Sequence, residues 1–330
     1  MKVPQFWYNY PKNQSVLSTI LRPLGSVYAA ATALRVARSD VMTANCPIIC
    51  VGNLNVGGTG KTPTVIRLAE MAKSMSAKPV ILSRGYGGSL KGPIKVNRIW
   101  HEADQIGDEP LLLASFATTI VSNNRANGVK AAEELCPDLI ILDDGFQDPS
   151  VKKTKSLIVV DAEKGFGNGR CLPAGPLREP VERGLRRADA VLSIGDEQAQ
   201  ANFALQWGKR IPCPLIKAEL KPLETGQNWS DGEYFAFAGI GHPDKFFKTL
   251  ENLGANLVHR EALSDHATPS VAFLKRIKTV ANDKGVQLVT TEKDAVRLPK
   301  KFKKEILTLP VRLSLNNCKA LEKFLMSAMH

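Results

Sequence analysis

The chain lacks any cysteine pattern that would hold a metal or staple a small fold. Its six cysteines, Cys46, Cys50, Cys136, Cys171, Cys213 and Cys318, are scattered and form no Cys-x-x-Cys pair. That spacing argues against a disulfide framework and fits cysteines packed as small apolar residues in a reducing compartment. The five histidines are dispersed as well, without zinc-ligand spacing. Aromatic residues make up only 6% of the chain, and neither an arginine-rich arm nor an aromatic ribonucleoprotein motif occurs, so nucleic acid is not an expected partner. Internal repeats and low-complexity tracts are missing. Long hydrophobic runs are missing too: the best candidate, near the N-terminus, is broken at Arg22-Pro23, which argues against a spanning helix or a signal-peptide core.

Positive charge is present in excess. The 44 Lys and Arg against 32 Asp and Glu leave a formal charge of +12, and the sequence pI is about 9.4. An anionic partner is expected: a nucleotide, a phosphorylated substrate or an anionic membrane surface. With 330 residues, 44% of them hydrophobic and 23% charged, the chain is globular and long enough for two domains.

The apolar run Pro47–Val51 leads into Asn55-Val56-Gly57-Gly58-Thr59-Gly60-Lys61-Thr62. A buried strand, a glycine-rich turn and a helix opening at Lys61-Thr62 form a phosphate-binding loop. Backbone N–H groups converge on phosphate oxygens there, and the helix N-terminus adds partial positive charge. Lys61 would neutralise β/γ oxygens of ATP, and the Thr62 hydroxyl would sit on Mg²⁺. The strict pattern has Gly where Asn55 stands; Asn is expected because it tolerates left-handed backbone angles.

From residue 47 to about 195, short apolar runs (Ile48–Val51, Val80–Ser83, Thr118–Val121, Leu139–Leu142, Leu157–Asp161, Ala190–Ile194) alternate with helices beginning near Lys61, Leu111, Asn127 and Val181. Such alternation predicts a largely parallel sheet with helices on both faces and a ligand beyond the carboxyl ends of the strands. A proline-rich connection around 198–231 leads to a second unit. Its expected strands are Tyr234–Ala238, Gln287–Thr290 and Ile306–Leu309, and its helices lie near Pro243–Leu253, Ser270–Ala281 and Asn317–Ser327. The expected organisation is 1–38, an interfacial segment; 39–222, a P-loop domain of three α/β/α layers; and 223–330, a smaller α/β/α domain closing over the nucleotide.

Other motifs supply chemistry. Asp143-Asp144, ending an apolar strand, suits Mg²⁺ coordination, direct or through water. Asp108 opens a helix, either as its N-cap or as a carboxylate aimed into the cleft to accept a proton from a substrate hydroxyl. Arg84 and Tyr86 lie on a flexible glycine loop that is either a phosphate or sugar contact or a plain surface turn. The irregular segment Gly165–Pro180 offers Arg170 and Arg178 for phosphate and Glu179 for the metal shell. Asp265-His266 falls in a polar turn, while Gly239–His242 and Thr291–Asp294 follow strands and border an inter-domain cleft. At the N-terminus, Leu17, Ile20, Leu21, Leu24, Tyr28 and Ala31 form a helical stripe, preceded by Phe6, Trp7, Tyr8 and Tyr10 and accompanied by Arg22, Arg35 and Arg38. This stripe lies in a membrane interface or packs on the protein's own core.

Taken in order, these motifs resemble the tetraacyldisaccharide 4′-kinases of lipid A biosynthesis over nearly the whole chain. The resemblance runs through Val51–Pro63, Ser83–Gly87, Gly107–Pro110, Asp143–Gln147, Leu172–Pro180, Ala238–Gly241, Asp265-His266 and Thr291–Asp294. It implies an ATP- and Mg²⁺-dependent kinase of the P-loop NTPase-like α/β class. The γ-phosphate would go to the 4′-hydroxyl of a tetraacyl disaccharide 1-phosphate, at the cytoplasmic face of a bacterial inner membrane. By this resemblance Asp108 matches the catalytic carboxylate, His266 its partner, Lys61 and Thr62 the nucleotide contacts, and Asp143, Asp144 and Glu179 the metal site. Arg178 and Glu179 match positions near the phosphates and the metal, and the expected substrate contacts are Arg84, Tyr86, Gln147, Arg170 and Arg178. Two departures stand out: Asp148 and Ala267 occupy positions where many members have His. A rival reading is a membrane-associated P-loop switch ATPase, although its signature Lys is Val56 here. Oligomeric state is not readable.

Overall fold

The computed structural model describes residues 4–8, 15–37, 41–264 and 267–329. Its strands, in chain order, are β1 (Ile48–Gly52), β2 (Pro79–Ser83), β3 (Ile94–Lys95), β4 (Thr118–Val121), β5 (Leu139–Asp143), β6 (Lys155–Asp161), β7 (Ala190–Ile194), β8 (Leu215–Pro222), β9 (Glu233–Ala238), β10 (Asn256–Ala262), β11 (Gln287–Thr291), β12 (Leu307–Leu309) and β13 (Val311–Leu315). A nine-stranded sheet has the order β13-β8-β7-β6-β1-β5-β2-β4-β3. All its pairings are parallel except those of β3 and β13 at the two edges.

Every residue of β1, β2, β5 and β7 is buried, as apolar runs covered on both faces must be. One face packs against the helix Lys61–Ser74 through Val65, Leu68 and Met71, and against the C-terminal helix Cys318–Met329 through Leu321 and Leu325. The other face carries Val129 and Ala132 of the helix Arg125–Glu133, with Phe203 and Trp207 of Glu197–Trp207. A fully buried leucine such as Leu68 contributes roughly 1.5–3 kcal/mol. β1 lies centrally, between β5 and β6, so the loop leaving its carboxyl end sits over the middle of the sheet.

The smaller sheet, β10-β9-β11-β12, is parallel. Phe246, Phe247 and Leu250 cover one side from the helix Pro243–Asn252, and Leu274 and Ile277 cover the other from Val271–Lys284. The chain leaves the larger sheet at β8 and re-enters it at β13, which pairs antiparallel with β8 from Val311↔Pro222 to Leu315↔Ala218. Residues 311–329 therefore belong to the larger body, whereas the smaller body runs from β9 to β12.

At the N-terminus, Leu21 separates two helices, Val16–Ile20 and Arg22–Val36, with Pro23 in the first turn of the second, where its missing N–H costs nothing. Their packed face is small and polar: Ser18, Gly25, Thr32 and Ala33 are buried. A Cβ on Gly25 would stand 2.9 Å from the Cys171 carbonyl oxygen, so only glycine allows this approach. The expected stripe divides. Leu21 and Tyr28 turn partly inward, while Leu17, Ile20, Leu24 and Ala31 face out, joined by Val16, Val27 and Leu34. Tyr10 and Arg38 lie outside the described residues. Among the described residues, no helix is long and apolar enough to cross a membrane.

Candidate active site

The loop after β1 is built around Asn53, whose buried amide donates to the Gly57 carbonyl at 3.3 Å and to Thr59 Oγ1 at 3.1 Å. Gly57 and Gly60 adopt positive φ of +104° and +91°, which side-chain-bearing residues resist. Asn55 does not stand in for a left-handed glycine. It is absent from the positive-φ residues and forms a bridge to Leu177, with its amide donating to the Gly165 carbonyl at 3.0 Å. Val56 N–H adds a bond to the Pro176 carbonyl at 2.8 Å. The phosphate loop is thus sewn to the Gly165–Pro180 segment, and Asn55 was selected for pairing rather than for backbone freedom. Lys61 is the first residue of its helix, and Gly60 is the N-cap.

Asp143 and Asp144 close β5. Asp144 is one of three non-glycine residues with positive φ (+51°) among the described residues. The buried guanidinium of Arg125 braces that turn, donating to the carbonyls of Asp143 at 2.6 Å, Asp144 at 3.3 Å and Leu82 at 3.2 Å. The two carboxylates then diverge. Burial, with Glu109 and Asp144 nearby, pushes Asp143 up to about 7 despite Lys61 and Arg125; its Oδ2 accepts from Ser83 Oγ at 3.1 Å. Burial also raises Asp144, but Lys61 at 3.7 Å and a forked pair with Arg178 at 3.0 and 3.3 Å outweigh it and hold it below the usual carboxylate range.

Asp108 is inside its helix, not at the cap: Gly107, at φ +90°, is the N-cap. Its carboxylate meets Arg297 and lies 3.8 Å from Lys293 Nζ. Next to it, Glu109 accepts from Thr62 Oγ1 at 3.4 Å and from Lys293 at 3.0 Å. Lys61, Thr62, Asp108, Glu109, Asp143 and Asp144 thus form one continuous cluster.

Other expected residues have different placements. Gln147 is buried beneath the loop, donating to the Asn53 carbonyl at 2.9 Å and to Glu179 at 3.0 Å and accepting from Arg178 at 3.4 Å. Glu179 accepts from Arg187 Nη2 with both oxygens, at 2.7 and 2.5 Å. Arg170 donates to Ser18 at 3.1 Å and Thr19 at 3.4 Å on the N-terminal helix. Arg84 and Tyr86 are exposed, but the backbone that carries them is seated rather than flexible. Ser89 and Leu90 N–H groups bond to the Asp104 and Gln105 carbonyls at 3.0 and 2.8 Å, and a Cβ on Gly88 would stand 2.6 Å from Gln105 O. Asp265 and His266 lie outside the described residues.

Asn53, Arg125, Glu109, Lys293 and Arg297 were not singled out individually in the sequence. Asn53, Glu109 and Lys293 sit within the motifs Val51–Pro63, Gly107–Pro110 and Thr291–Asp294, without a role of their own assigned there. Arg125 bonds to backbone carbonyls and Arg297 reaches Asp108 far along the chain, so local spacing carries no signal for those contacts.

The residues present fit a divalent cation. Glu109 stands 3.4 Å from the Thr62 hydroxyl, and Asp143, raised chiefly by burial, has Glu109 and Asp144 as charged neighbours. Among the described residues no group of three His, Cys, Asp or Glu forms a ready-made cage. Mg²⁺ characteristically uses one or two carboxylates together with substrate phosphates and water.

Comparisons with known proteins identify the family and the fold. The family described as LpxK, tetraacyldisaccharide-1-P 4′-kinase, matches residues 17–330. The tetraacyldisaccharide 4′-kinase of Dinoroseobacter shibae is 50% identical over 97% of this chain and 96% of its own length. That of a Jannaschia species is 48% identical over 96% of each. The crystal structure of LpxK from Aquifex aeolicus in complex with ATP superposes with a TM-score of 0.79 at 27% identity, covering 96% of this chain and all of that one. A family model that matches residues 17–330, a relative 50% identical over 97% of the chain and a shared fold place this chain in the tetraacyldisaccharide 4′-kinase family.

Proposed function

We propose that the cluster around Lys61 carries out the family's reaction, transfer of the ATP γ-phosphate to the 4′-hydroxyl of a tetraacyl lipid A disaccharide 1-phosphate precursor. The observation that carries this reading is the Thr62–Glu109 contact at 3.4 Å, which sets the Asp108 helix directly against the phosphate loop. Residues 55–62 would bind the ATP phosphates, with Lys61 neutralising charge on the transferred group. Thr62, Asp143 and Asp144, with Glu109 alongside, would hold Mg²⁺, which when bound offsets phosphate charge. Asp108 would accept the hydroxyl proton, with His266 as its partner by resemblance. Arg178, held by Asp144, is a candidate to meet phosphate. Arg84 and Tyr86, exposed beside the Asp108 helix, are candidates for the sugar phosphate. Gln147 and Glu179 support the loop from beneath, and Arg170 faces the N-terminal helix instead.

The outward apolar row Leu17, Ile20, Leu24, Val27 and Leu34, flanked by Arg22 and Arg35, supports peripheral attachment to the cytoplasmic face of the inner membrane, where an acylated substrate resides. The test is Asp108→Asn assayed with saturating ATP. Turnover falls by about 10²–10⁴-fold, the usual worth of general-base help, while direct ATP binding is retained. Near-normal turnover removes Asp108 from the chemistry.

A further inference from the structure

Arg297 belongs to the smaller body and is only 2% exposed at its side chain. Its Nη1 donates to Asp294 Oδ1 at 2.9 Å and to the Gly239 carbonyl at 3.0 Å, while Nη2 reaches Asp108 of the larger body. Asp294 is fully buried and is fixed in turn by the Gly239 N–H at 3.0 Å and the Thr291 hydroxyl at 2.7 Å. The guanidinium is therefore anchored along one edge by its own body and presents the other edge to Asp108. A planar fork can serve both sides in this way; a lysine ammonium cannot. Ion pairs buried this deeply often add little net stability, so stability alone is a poor account of the arrangement.

We infer that Arg297 is a positioning residue for the phosphoryl transfer, aligning the Asp108 carboxylate with the acceptor hydroxyl only while the two bodies are apposed. The inference rests on the reading of Asp108 as the carboxylate that meets substrate. The cation beside Asp108 is thus supplied by the smaller body.

The test compares Arg297→Met, Arg297→Lys and Asp108→Asn by steady-state kinetics, ATP binding and thermal melting. Arg297→Met lowers kcat about 100-fold, the size expected for a reacting group displaced by an ångström, while KM for ATP stays within about threefold. Arg297→Lys keeps the charge and recovers part of that loss. Because Arg297→Met leaves Asp294 buried without its cation, the melting temperature falls as well. The double variant Asp294→Asn with Arg297→Met removes the fully buried charge together with its cation and recovers much of the melting temperature without restoring kcat. A kcat that returns with the melting temperature in the double variant assigns Arg297 a structural role and overturns the inference. So does full activity of Arg297→Met beside an inactive Asp108→Asn. Normal turnover of Asp108→Asn instead defeats the underlying reading of Asp108.

Discussion

Asp143 and Asp144 are chain neighbours, yet their surroundings drive their protons in opposite directions. Separation of this kind is how one site holds acid and base forms side by side. For Asp143 the consequence can be signed. Its folded value of about 7 lies above the ordinary 3.8, so between those limits the metal-free folded chain holds a proton that the unfolded chain has released. The associated stability is full below the ordinary value and is lost as pH rises through about 7. Thermal melts in chelator across this range will show that loss, and Asp143→Asn will flatten it; an unchanged slope in the variant contradicts the account. In the sequence, the paired carboxylates were legible because a strand end on a nucleotide-binding sheet is a known place for them. Arg125 was not. Its acceptors are backbone carbonyls of β2 and β5, and no residue spacing encodes those.

At the scale of elements, the phosphate loop contains two kinds of glycine. A Cβ on Gly60 would strike Ile194 at 2.5 Å, and its φ is +91°, whereas a Cβ on Gly58 meets nothing within 4 Å. Gly60→Ala is expected to lower the melting temperature. Gly58→Ala is expected to leave it unchanged yet weaken ATP binding at least several-fold, because the open space above Gly58 is where phosphate would sit. Equal loss of stability in both variants, seen by melting, removes that distinction. The N-terminal helices make a second prediction. Replacing Leu17, Ile20, Leu24 and Val27 by Gln leaves the fold intact, since these side chains face outward, and shifts the protein off anionic vesicles in a sedimentation assay. Unchanged partition contradicts attachment through this face. The buried parallel strands were legible as apolar runs, two of them, Thr118–Val121 and Ala190–Ile194, to the residue. The unexpected strands β3, β8, β10 and β13 lie at or next to sheet edges, where charged residues such as Lys95, Lys217, Glu219, Arg260 and Arg312 interrupt the apolar pattern.

Across the whole molecule, the two bodies meet along a polar seam. Arg297 and Lys293 reach Asp108 and Glu109. Lys245 reaches Asp161 at 3.9 Å, and Lys164 meets His242. Glu292 joins the seam by pairing with Arg312 at 2.7 Å. Thr291–Asp294 thus has a divided purpose: its first and last residues fix the smaller body, and the middle two face the larger one. The existence of two α/β units was readable from the alternation of strands and helices. The return of residues 311–329 to the larger sheet was not, because a strand that rejoins its sheet after a whole domain leaves no local pattern. At this seam Arg297 and Lys293 stand against Asp108 and Glu109 beside the phosphate loop, an arrangement that suits a kinase, which must exclude water and transfer phosphate to a bound alcohol. The most direct measurement is transfer of labelled γ-phosphate from ATP to a lipid A disaccharide 1-phosphate in detergent micelles, with Lys61→Ala as control. Labelled bisphosphorylated lipid that disappears in the control is the predicted result; ATP hydrolysis with no label on the lipid would contradict the account.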